Sequence, residues 1–311
     1  MSYLLLALGF VLLVGAGDLL VRGAAALAER LCIPPVIIGL TVVAFGTSAP
    51  ELFVSVGAVV DGAPAIAVGN AVGSNIANIL LVLGLPAMIQ AIDTHERGIA
   101  LNTAFMIAVS IIFVALCWLG PLSYPHGAVL IALLGLFIWY SVRNARRARR
   151  DAVADDVGTR PKSAWLIAGF IAAGLIGLPI AAEITVEGAR QIAQSWGVSE
   201  AAIGLTVVAV GTSLPEIAAS LMAAIRREHA LAVGNVIGSN IFNLAGVMGL
   251  TALILPVPIA PGMLNFDLWI MIAAALLLLP FVLGEHRIGR FAGIAFIAMY
   301  AAYTAFVFSY S

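Results

Sequence analysis

Two segments of the sequence each occur twice in closely similar form. GLTVVAFGTSAPE, residues 39–51, returns as GLTVVAVGTSLPE, residues 204–216, with 11 of 13 positions unchanged. GNAVGSNIANILLVLGL, starting at Gly69, returns as GNVIGSNIFNLAGVMGL, starting at Gly234, with 10 of 17 positions identical. Both pairs lie at the same offset of 165 residues. The fold must therefore accommodate one structural unit twice.

The repeated segments lie within long apolar stretches. Hydrophobic residues make up 62% of the 311 residues and charged residues 10%, against about 45–50% and about 25% in soluble domains. So few charges exclude a soluble enzyme, a disordered chain and a nucleic-acid binder with a basic face. Ten stretches approach the roughly 20 residues that cross a bilayer. They lie at 3–22, 35–59, 64–90, 99–119, 124–142, 163–186, 201–225, 230–256, 265–284 and 289–309.

The basic residues predict how these spans are oriented. Seven of the 15 lysines and arginines lie between Arg143 and Lys162, and the positive-inside rule places that stretch in the cytoplasm. Seven of the other eight then fall on the same side, and only Arg190 falls on the opposite side. We therefore expect a multi-pass membrane protein with both termini outside. An alternative role for 143–162 is a patch that binds lipid or nucleic acid.

The span count divides the chain into three parts. Residues 1–142 form a first five-helix repeat, 143–162 a cytoplasmic basic linker, and 163–311 a second five-helix repeat. Because five is odd, the second repeat enters the membrane from the opposite side. The prediction is an all-α polytopic membrane protein with ten transmembrane helices in two inverted-topology repeats. Secondary transporters have this architecture, with substrate bound near the midplane where the repeats meet.

One acidic residue of each repeat falls deep inside a predicted span. Glu51 lies in the second span and Glu216 in the seventh. An acid at mid-membrane costs roughly 2.5–3.5 kcal/mol on insertion scales, and no lysine or arginine lies at that depth to pair with it. Two carboxylates without a fixed cation indicate mobile cations, either metal ions or protons. The alternative is a pair of protonated, hydrogen-bonded structural acids.

Oxygen-bearing residues surround both acids in the sequence. Pro50 and Pro215 remove a helical N–H and free the carbonyls four residues earlier. Asn70, Ser74 and Asn78 share one helix face, which the second repeat duplicates. We predict that the hydroxyls and amides of eight residues line a cation site, namely Thr47, Ser48, Ser74, Asn78, Thr212, Ser213, Ser239 and Asn243. For Asn75 and Asn240 we predict hydrogen bonds between helices instead.

An all-oxygen ligand set favours hard cations. Ca²⁺ accepts six to eight oxygens in flexible geometry, whereas Mg²⁺ gives up its water reluctantly. Softer metals prefer thiolate or imidazole, which the predicted spans do not offer near the acids. The two carboxylates together carry the charge that one Ca²⁺ balances. We predict no cofactor, no nucleic-acid partner and no obligate protein partner, with Ca²⁺ as the transported substrate and the lipid bilayer as surroundings.

The duplicated GTSxPE and GNxxGSN segments resemble the two alpha repeats of the cation/Ca²⁺ exchanger superfamily, most closely the prokaryotic sodium/calcium exchangers. The resemblance is strongest over 16–85 and 181–250. It implies a prokaryotic inner-membrane location, ten helices, outside termini and alternating access. It also implies exchange of about three Na⁺ for one Ca²⁺, as transported substrates, at a shared site. It also implies that Glu51 and Glu216 are the shared ligands and that the carbonyls of Ala44 and Ala209 bind Na⁺.

The same resemblance assigns the gate and exposes one departure. The first and sixth spans, which contain Asp18 and Glu183, would form the sliding gate. Some family members carry Asp where Asn243 stands, so a K⁺-coupled mode and a proton-binding role at that position are in doubt. The predicted function is a secondary active Na⁺/Ca²⁺ antiporter, with a Ca²⁺/H⁺ antiporter as the alternative. A cation channel and an intramembrane enzyme are the remaining classes. The residues around the two glutamates lack the nucleophile–base pair that an enzyme would need.

Overall fold

The computed structural model describes residues 1–96, 98–154, 163–197, 209–284 and 286–310. Within these ranges the regular secondary structure is helical, apart from two isolated bridges, Ile92 to Ile288 and Leu122 to Val257. The helices are α1 (Ser2–Leu31), α2 (Pro35–Thr47), α3 (Ala49–Val60), α4 (Pro64–Ile89), α5 (Ile99–Trp118), α6 (Tyr124–Ala154), α7 (Ala164–Ser195), α8 (Ala209–Thr212), α9 (Leu214–Ile225), α10 (His229–Ile254), α11 (Met263–Leu283) and α12 (Arg290–Tyr310).

The helix boundaries repeat along the chain at the offset found in the sequence. Shifted by 165 residues, α3 becomes α9 and α4 becomes α10 at both ends. After the same shift, the first residue of α5 falls within one residue of the start of α11. The first residue of α6 likewise falls within one residue of the start of α12. The two halves therefore share their secondary structure as well as their motifs.

The all-helical membrane fold is confirmed. In the described ranges eight helices are long and apolar enough to span a membrane, or nine if the bent pair α2 and α3 is one span. The predicted span 201–225 begins in residues outside those ranges, and only α9 and the short α8 represent it. The ten-span count and its three-part division of the chain therefore stay predictions.

Three helices are longer than the apolar stretches that predicted them. α1 continues to Leu31 and α7 to Ser195, and α6 runs through five of the six arginines of the predicted linker as far as Ala154. Alanine and arginine are strong helix formers, so the helix persists after the hydropathy falls. In α1 an ion pair four residues apart, Arg22 Nε to Asp18 Oδ2 at 2.9 Å, supports the charged turn.

The equivalent helices α1 and α7 pack against each other antiparallel. Four glycines lie where a Cβ atom would come within 3 Å of the facing backbone, in the pairs Gly9–Thr185, Gly174–Leu20, Gly23–Ile171 and Gly188–Leu6. At the repeat offset the first pair maps onto the second and the third onto the fourth. Reciprocal contacts of this kind are what a two-fold axis between the halves produces.

The buried side chains form two packed clusters. The larger cluster is built mainly from α4, α5, α10 and α11, with smaller parts of α2 and α6. The smaller one joins α1 and α7 to parts of α2, α9 and α10. At their junction α2 crosses α10 closely, because Gly39 and Gly234 face each other without side chains between them. The repeated segments of both halves therefore meet at the centre of the molecule.

Candidate cation-binding site

Two broken helices present the acidic residues. A single residue separates α2 from α3, and a single residue separates α8 from α9. The linking residues Ser48 (φ −85°, ψ 4°) and Ser213 (φ −86°, ψ 0°) have the same backbone conformation. The axes of α2 and α3 differ by 41°. Glu51 and Glu216 thus lie in the first turn of a new helix, where the helix dipole favours negative charge.

Both glutamates are buried and short of partners. Glu51 is 0% exposed and Glu216 1%, and their like charges repel each other. Both carboxylate oxygens of Glu51 and Oε2 of Glu216 have no hydrogen-bond partner among the described residues. Because folded proteins rarely leave buried oxygens unpaired, this pair fits a ligand that takes electron density from oxygen, namely a cation.

Hydroxyl groups from the first half reach across to the second. Ser48 Oγ donates to Glu216 Oε1 at 3.2 Å. Thr47 Oγ1 lies 3.4 Å from Ser239 Oγ. The counterpart of the first contact is not formed, since Ser213 Oγ is buried with no partner in the described part of the chain. The structure therefore brings these predicted ligands together around the acids, in an arrangement that differs between the halves.

The asparagines of α4 and α10 meet across the centre. Asn75 Nδ2 donates to Asn240 O at 3.1 Å, and Asn240 Nδ2 donates back to Asn75 O at 3.5 Å. These bonds between helices confirm the role predicted for both residues. Asn78 Nδ2 donates to Asn240 Oδ1 at 3.0 Å, which leaves Asn78 Oδ1 unpartnered in the described ranges. Both polar side-chain atoms of Asn243 are likewise buried and unpartnered there.

Asn78 and Asn243, two of the three asparagines whose side-chain oxygens are buried and unpartnered in the described ranges, lie where the helix widens. α4 changes from α-helix to π-helix at Asn78–Val82, and α10 does so at Phe242–Val247. Such π segments are rare and often mark functional sites, since they add a residue to the turn and re-aim its side chains. The sequence gives no sign of them. Asn78 and Asn243 are equivalent at the repeat offset, and each lies within such a segment.

The remaining predicted ligands have ordinary environments. Ser74 is 5% exposed, and Thr212 Oγ1 donates to Asn70 Oδ1 at 3.5 Å. The carbonyl of Ala44 accepts the Ser48 N–H at 3.0 Å and lies 3.4 Å from the Thr47 hydroxyl oxygen, so other groups already contact it. Ala209 is the first residue of α8, and its side chain lies outside the described part. The ligand assignment of the whole set stays a prediction.

The two residues assigned to the gate lie on α1 and α7 and differ in their surroundings. Asp18 forms ion pairs with Arg22 on its own helix and with Arg226 at the end of α9. Glu183 is exposed. At the repeat offset Asp18 corresponds to Glu183 and Arg226 to Asp61. The counterpart of this ion pair would join two acidic residues, so it cannot form. The link between α1 and α9 is therefore particular to one half.

Sequence reasoning gave no role to four polar residues beside the site. Asn70 Nδ2 donates to Ser55 Oγ at 3.0 Å, and Asn235 Nδ2 donates to Ser220 Oγ at 3.0 Å. These two bonds are exact counterparts at the repeat offset. Each serine follows its glutamate by four residues, on the same helix face. That spacing, present in both halves, is the signal that could have found them.

A charged loop lies beside the first residues of α10. His95 donates its backbone N–H to Asp93 Oδ1 at 3.0 Å, and this bond holds the pKa of Asp93 below its ordinary value. Burial raises the pKa of Glu96, and the nearby charge of Glu228 raises it further. Arg287 forms an ion pair with Asp93 at 3.2 Å. The loop is thus held to the chain between α11 and α12.

A buried pair of acids, surrounded by oxygen donors from two repeated halves of a multi-pass helical bundle, defines the class of cation-transporting membrane proteins. A family model described as sodium/calcium exchanger protein matches residues 1–143 and matches again at 166–309. The chain belongs to the sodium/calcium exchanger protein family, as the resemblance implied. It is an integral membrane protein of the cation/Ca²⁺ antiporter class.

Individual relatives agree over almost the whole chain. Inner membrane protein YrbG of Escherichia coli (strain K12) is 38% identical over 279 residues, covering 88% of this chain and 86% of that protein. Sodium/calcium exchanger MaX1 of Methanosarcina acetivorans is 30% identical over 344 aligned positions, covering 99% and 98%. A solved structure of the sodium-calcium exchanger NCX_Mj, soaked with zero Na⁺ and Ca²⁺, matches with a TM-score of 0.86 at 34% identity and covers 98% of each chain.

Proposed function

We propose that this protein exchanges Na⁺ for Ca²⁺ across the membrane by alternating access, at one central site built on Glu51 and Glu216. The observation that carries the proposal is the pair of fully buried carboxylates, three of whose four oxygens have no partner among the described residues. The two acids together match the charge of one Ca²⁺. The oxygens around them suit Na⁺ and Ca²⁺ alike.

A shared site explains how the two fluxes are coupled. If Na⁺ and Ca²⁺ need the same carboxylates, they cannot occupy them together, so each crossing carries one kind of ion. Exchange of three Na⁺ for one Ca²⁺ moves one net charge, which is worth about 2.3 kcal/mol per 100 mV. The direction of net exchange then follows from the Na⁺ gradient and the membrane potential.

The antiparallel packing of α1 and α7 supports an inverted repeat. Equivalent helices that both cross the membrane in opposite directions belong to halves of opposite topology. Alternating access then follows when one half adopts the conformation of the other. The relative named an inner membrane protein and the basic residues support placement in an inner membrane with the basic stretch in the cytoplasm and both termini outside.

Calcium uptake into proteoliposomes tests the coupling. Vesicles that contain the purified protein are loaded with Na⁺ or K⁺ and diluted into ⁴⁵Ca²⁺. We expect uptake only from Na⁺-loaded vesicles, with a rate that increases when a K⁺ diffusion potential draws positive charge in the direction of net Na⁺ movement. Uptake that ignores every counter-ion would indicate a channel instead.

Ca²⁺/H⁺ exchange is the second candidate, because buried carboxylates without partners can also carry protons. Vesicles with an outward proton gradient and no Na⁺ distinguish the two. Uptake driven by that gradient, and unchanged when Na⁺ is added, would replace the Na⁺-coupled assignment. A Glu216→Gln variant that still folds is expected to be inactive under every gradient, since both candidates need this acid.

A further inference from the structure

Two asparagines link the halves through threonines predicted to bind cations. Thr47 Oγ1 donates to Asn235 Oδ1 at 3.2 Å, its shortest contact, and Asn235 Nδ2 donates to Ser220 Oγ at 3.0 Å. Asn235 is 1% exposed and Ser220 0%. Each Asn235 contact thus joins α10 to a different helix, α2 of the first half and α9 of the second.

The same chain of bonds exists in the other half. Thr212 Oγ1 donates to Asn70 Oδ1 at 3.5 Å, and Asn70 Nδ2 donates to Ser55 Oγ at 3.0 Å. Asn70 Nδ2 also faces the carbonyl oxygen of Glu51 at 3.2 Å. Because a carbonyl only accepts, the nitrogen must face it, and the amide oxygen must face Thr212. This contact fixes the orientation of the amide independently of the serine.

The direction of the threonine proton matters for cation binding. A hydroxyl that coordinates a cation must turn its lone pairs to the ion, so its proton must go elsewhere. Two groups that can only accept lie near the Thr47 hydroxyl, Asn235 Oδ1 at 3.2 Å and the carbonyl of Ala44 at 3.4 Å. The shorter contact assigns the single proton of Thr47 to Asn235. A neutral amide serves this purpose without adding a charge to the site, and its N–H group anchors it to Ser220. Outer partners of this kind orient metal ligands and tune their affinity.

We propose that Asn235 and Asn70 are positioning residues, which orient Thr47 and Thr212 of the opposite half for cation binding. The proposal rests on the proposed function, in which both threonines are ligands. It also gives the site a dependence on the contact between halves, since each threonine is oriented only while the two repeats are packed together.

Calcium affinity of the purified full-length chain tests this role, measured by calorimetric titration with CaCl₂ and checked by ⁴⁵Ca²⁺ uptake. Asn235→Ala is expected to weaken Ca²⁺ binding about 10- to 100-fold and to raise the half-saturating Ca²⁺ concentration more than it lowers the maximal rate. Asn235→Asp keeps an acceptor for Thr47 and should bind Ca²⁺ more tightly than Asn235→Ala. Asn75→Ala removes another buried asparagine, which bonds to a backbone carbonyl, and should leave the affinity within threefold of wild type.

A double-mutant cycle with Thr47→Val separates positioning from mere structural support. If Asn235 acts through Thr47, the double variant binds Ca²⁺ no more weakly than Thr47→Val alone. Additive losses, or an Asn235→Ala variant with wild-type affinity, would overturn the proposal. Should Asn235→Ala not fold, Ser220→Ala carries the test, with a weaker loss that also vanishes in the Thr47→Val background. Wild-type affinity of Thr47→Val would instead refute the proposed site.

Discussion

Replacing Glu51 by glutamine should abolish the effect of Ca²⁺ on stability. The variant keeps the shape of the side chain and removes its charge. Two unit charges about 4 Å apart interact by about 4 kcal/mol at an effective dielectric constant of about 20, and a divalent ion roughly doubles this value. Glu51 is 0% exposed, so water screens the interaction little. Even the smaller figure lowers Ca²⁺ affinity roughly 1,000-fold, at about 1.4 kcal/mol per factor of ten.

Thermal unfolding of the detergent-purified protein measures this loss directly. A ligand at 100 times its Kd stabilises the native state by about 2.7 kcal/mol. After a loss of roughly 1,000-fold the same Ca²⁺ concentration is about a tenth of the new Kd, and the stabilisation falls below about 0.1 kcal/mol. Wild type should therefore gain several degrees in Tm with Ca²⁺, and Glu51→Gln should gain none.

The Ca²⁺-free protein gives a second signature of the same charge. A buried carboxylate without partners is costly, so Glu51→Gln without Ca²⁺ should unfold no lower than wild type. Glu187→Gln is the matched control, because this exposed glutamate on α7 has only Gln191 as a described hydrogen-bond partner, and it should keep the full Ca²⁺ response. A Glu51→Gln variant that retains the wild-type Ca²⁺ shift would refute the site.

Three further changes probe the rest of the molecule. Gly188→Ala should lower Tm, since its Cβ would come within 2.6 Å of backbone on α1, whereas Gly15→Ala meets nothing within 4 Å and should not; overpacking typically costs about 1–3 kcal/mol. Asp93 has a lowered pKa, so it stabilises the protein above the ordinary aspartate value of 3.8, and this contribution disappears as the pH falls through the folded pKa. Asp93→Asn should flatten the dependence of Tm on pH as the pH falls below that ordinary value, and an unchanged slope would contradict this. Asp18→Asn removes the ion pair with Arg226 and should increase the hydrogen exchange of α9, with no change expected if the link is incidental.

Some parts of the fold could be read from the sequence because they rest on local composition. The span 64–90 lies almost exactly where α4 is found, and Pro64 marks its start. The reach of α6 to Ala154 could not be read in this way, because hydropathy reports the membrane and not the helix. The π segments could not be predicted from the sequence either, since they depend on how α4 and α10 pack and not on any residue type.

The candidate site could likewise be predicted only in part. The duplicated acids and hydroxyls were visible in the sequence, because a cation site requires those residue types and the repeat shows them twice. Which hydroxyl contacts which acid was not visible. Ser48 bonds to Glu216 while Ser213 has no described partner, although both occupy the same position of the repeat. Identical motifs can thus occupy different environments, which only the packed structure distinguishes.

The reciprocal pairing of α1 with α7 has a consequence for how such a chain could arise. A surface that packs against its own inverted copy is an isologous dimer interface. A gene of half this length, whose product inserted into the membrane in both orientations, would already supply both faces of that interface. Fusion of two such genes would then fix one copy in each orientation. Later substitutions, such as Phe242 at the position where the first half has Ala77, could distinguish the two sides of the membrane.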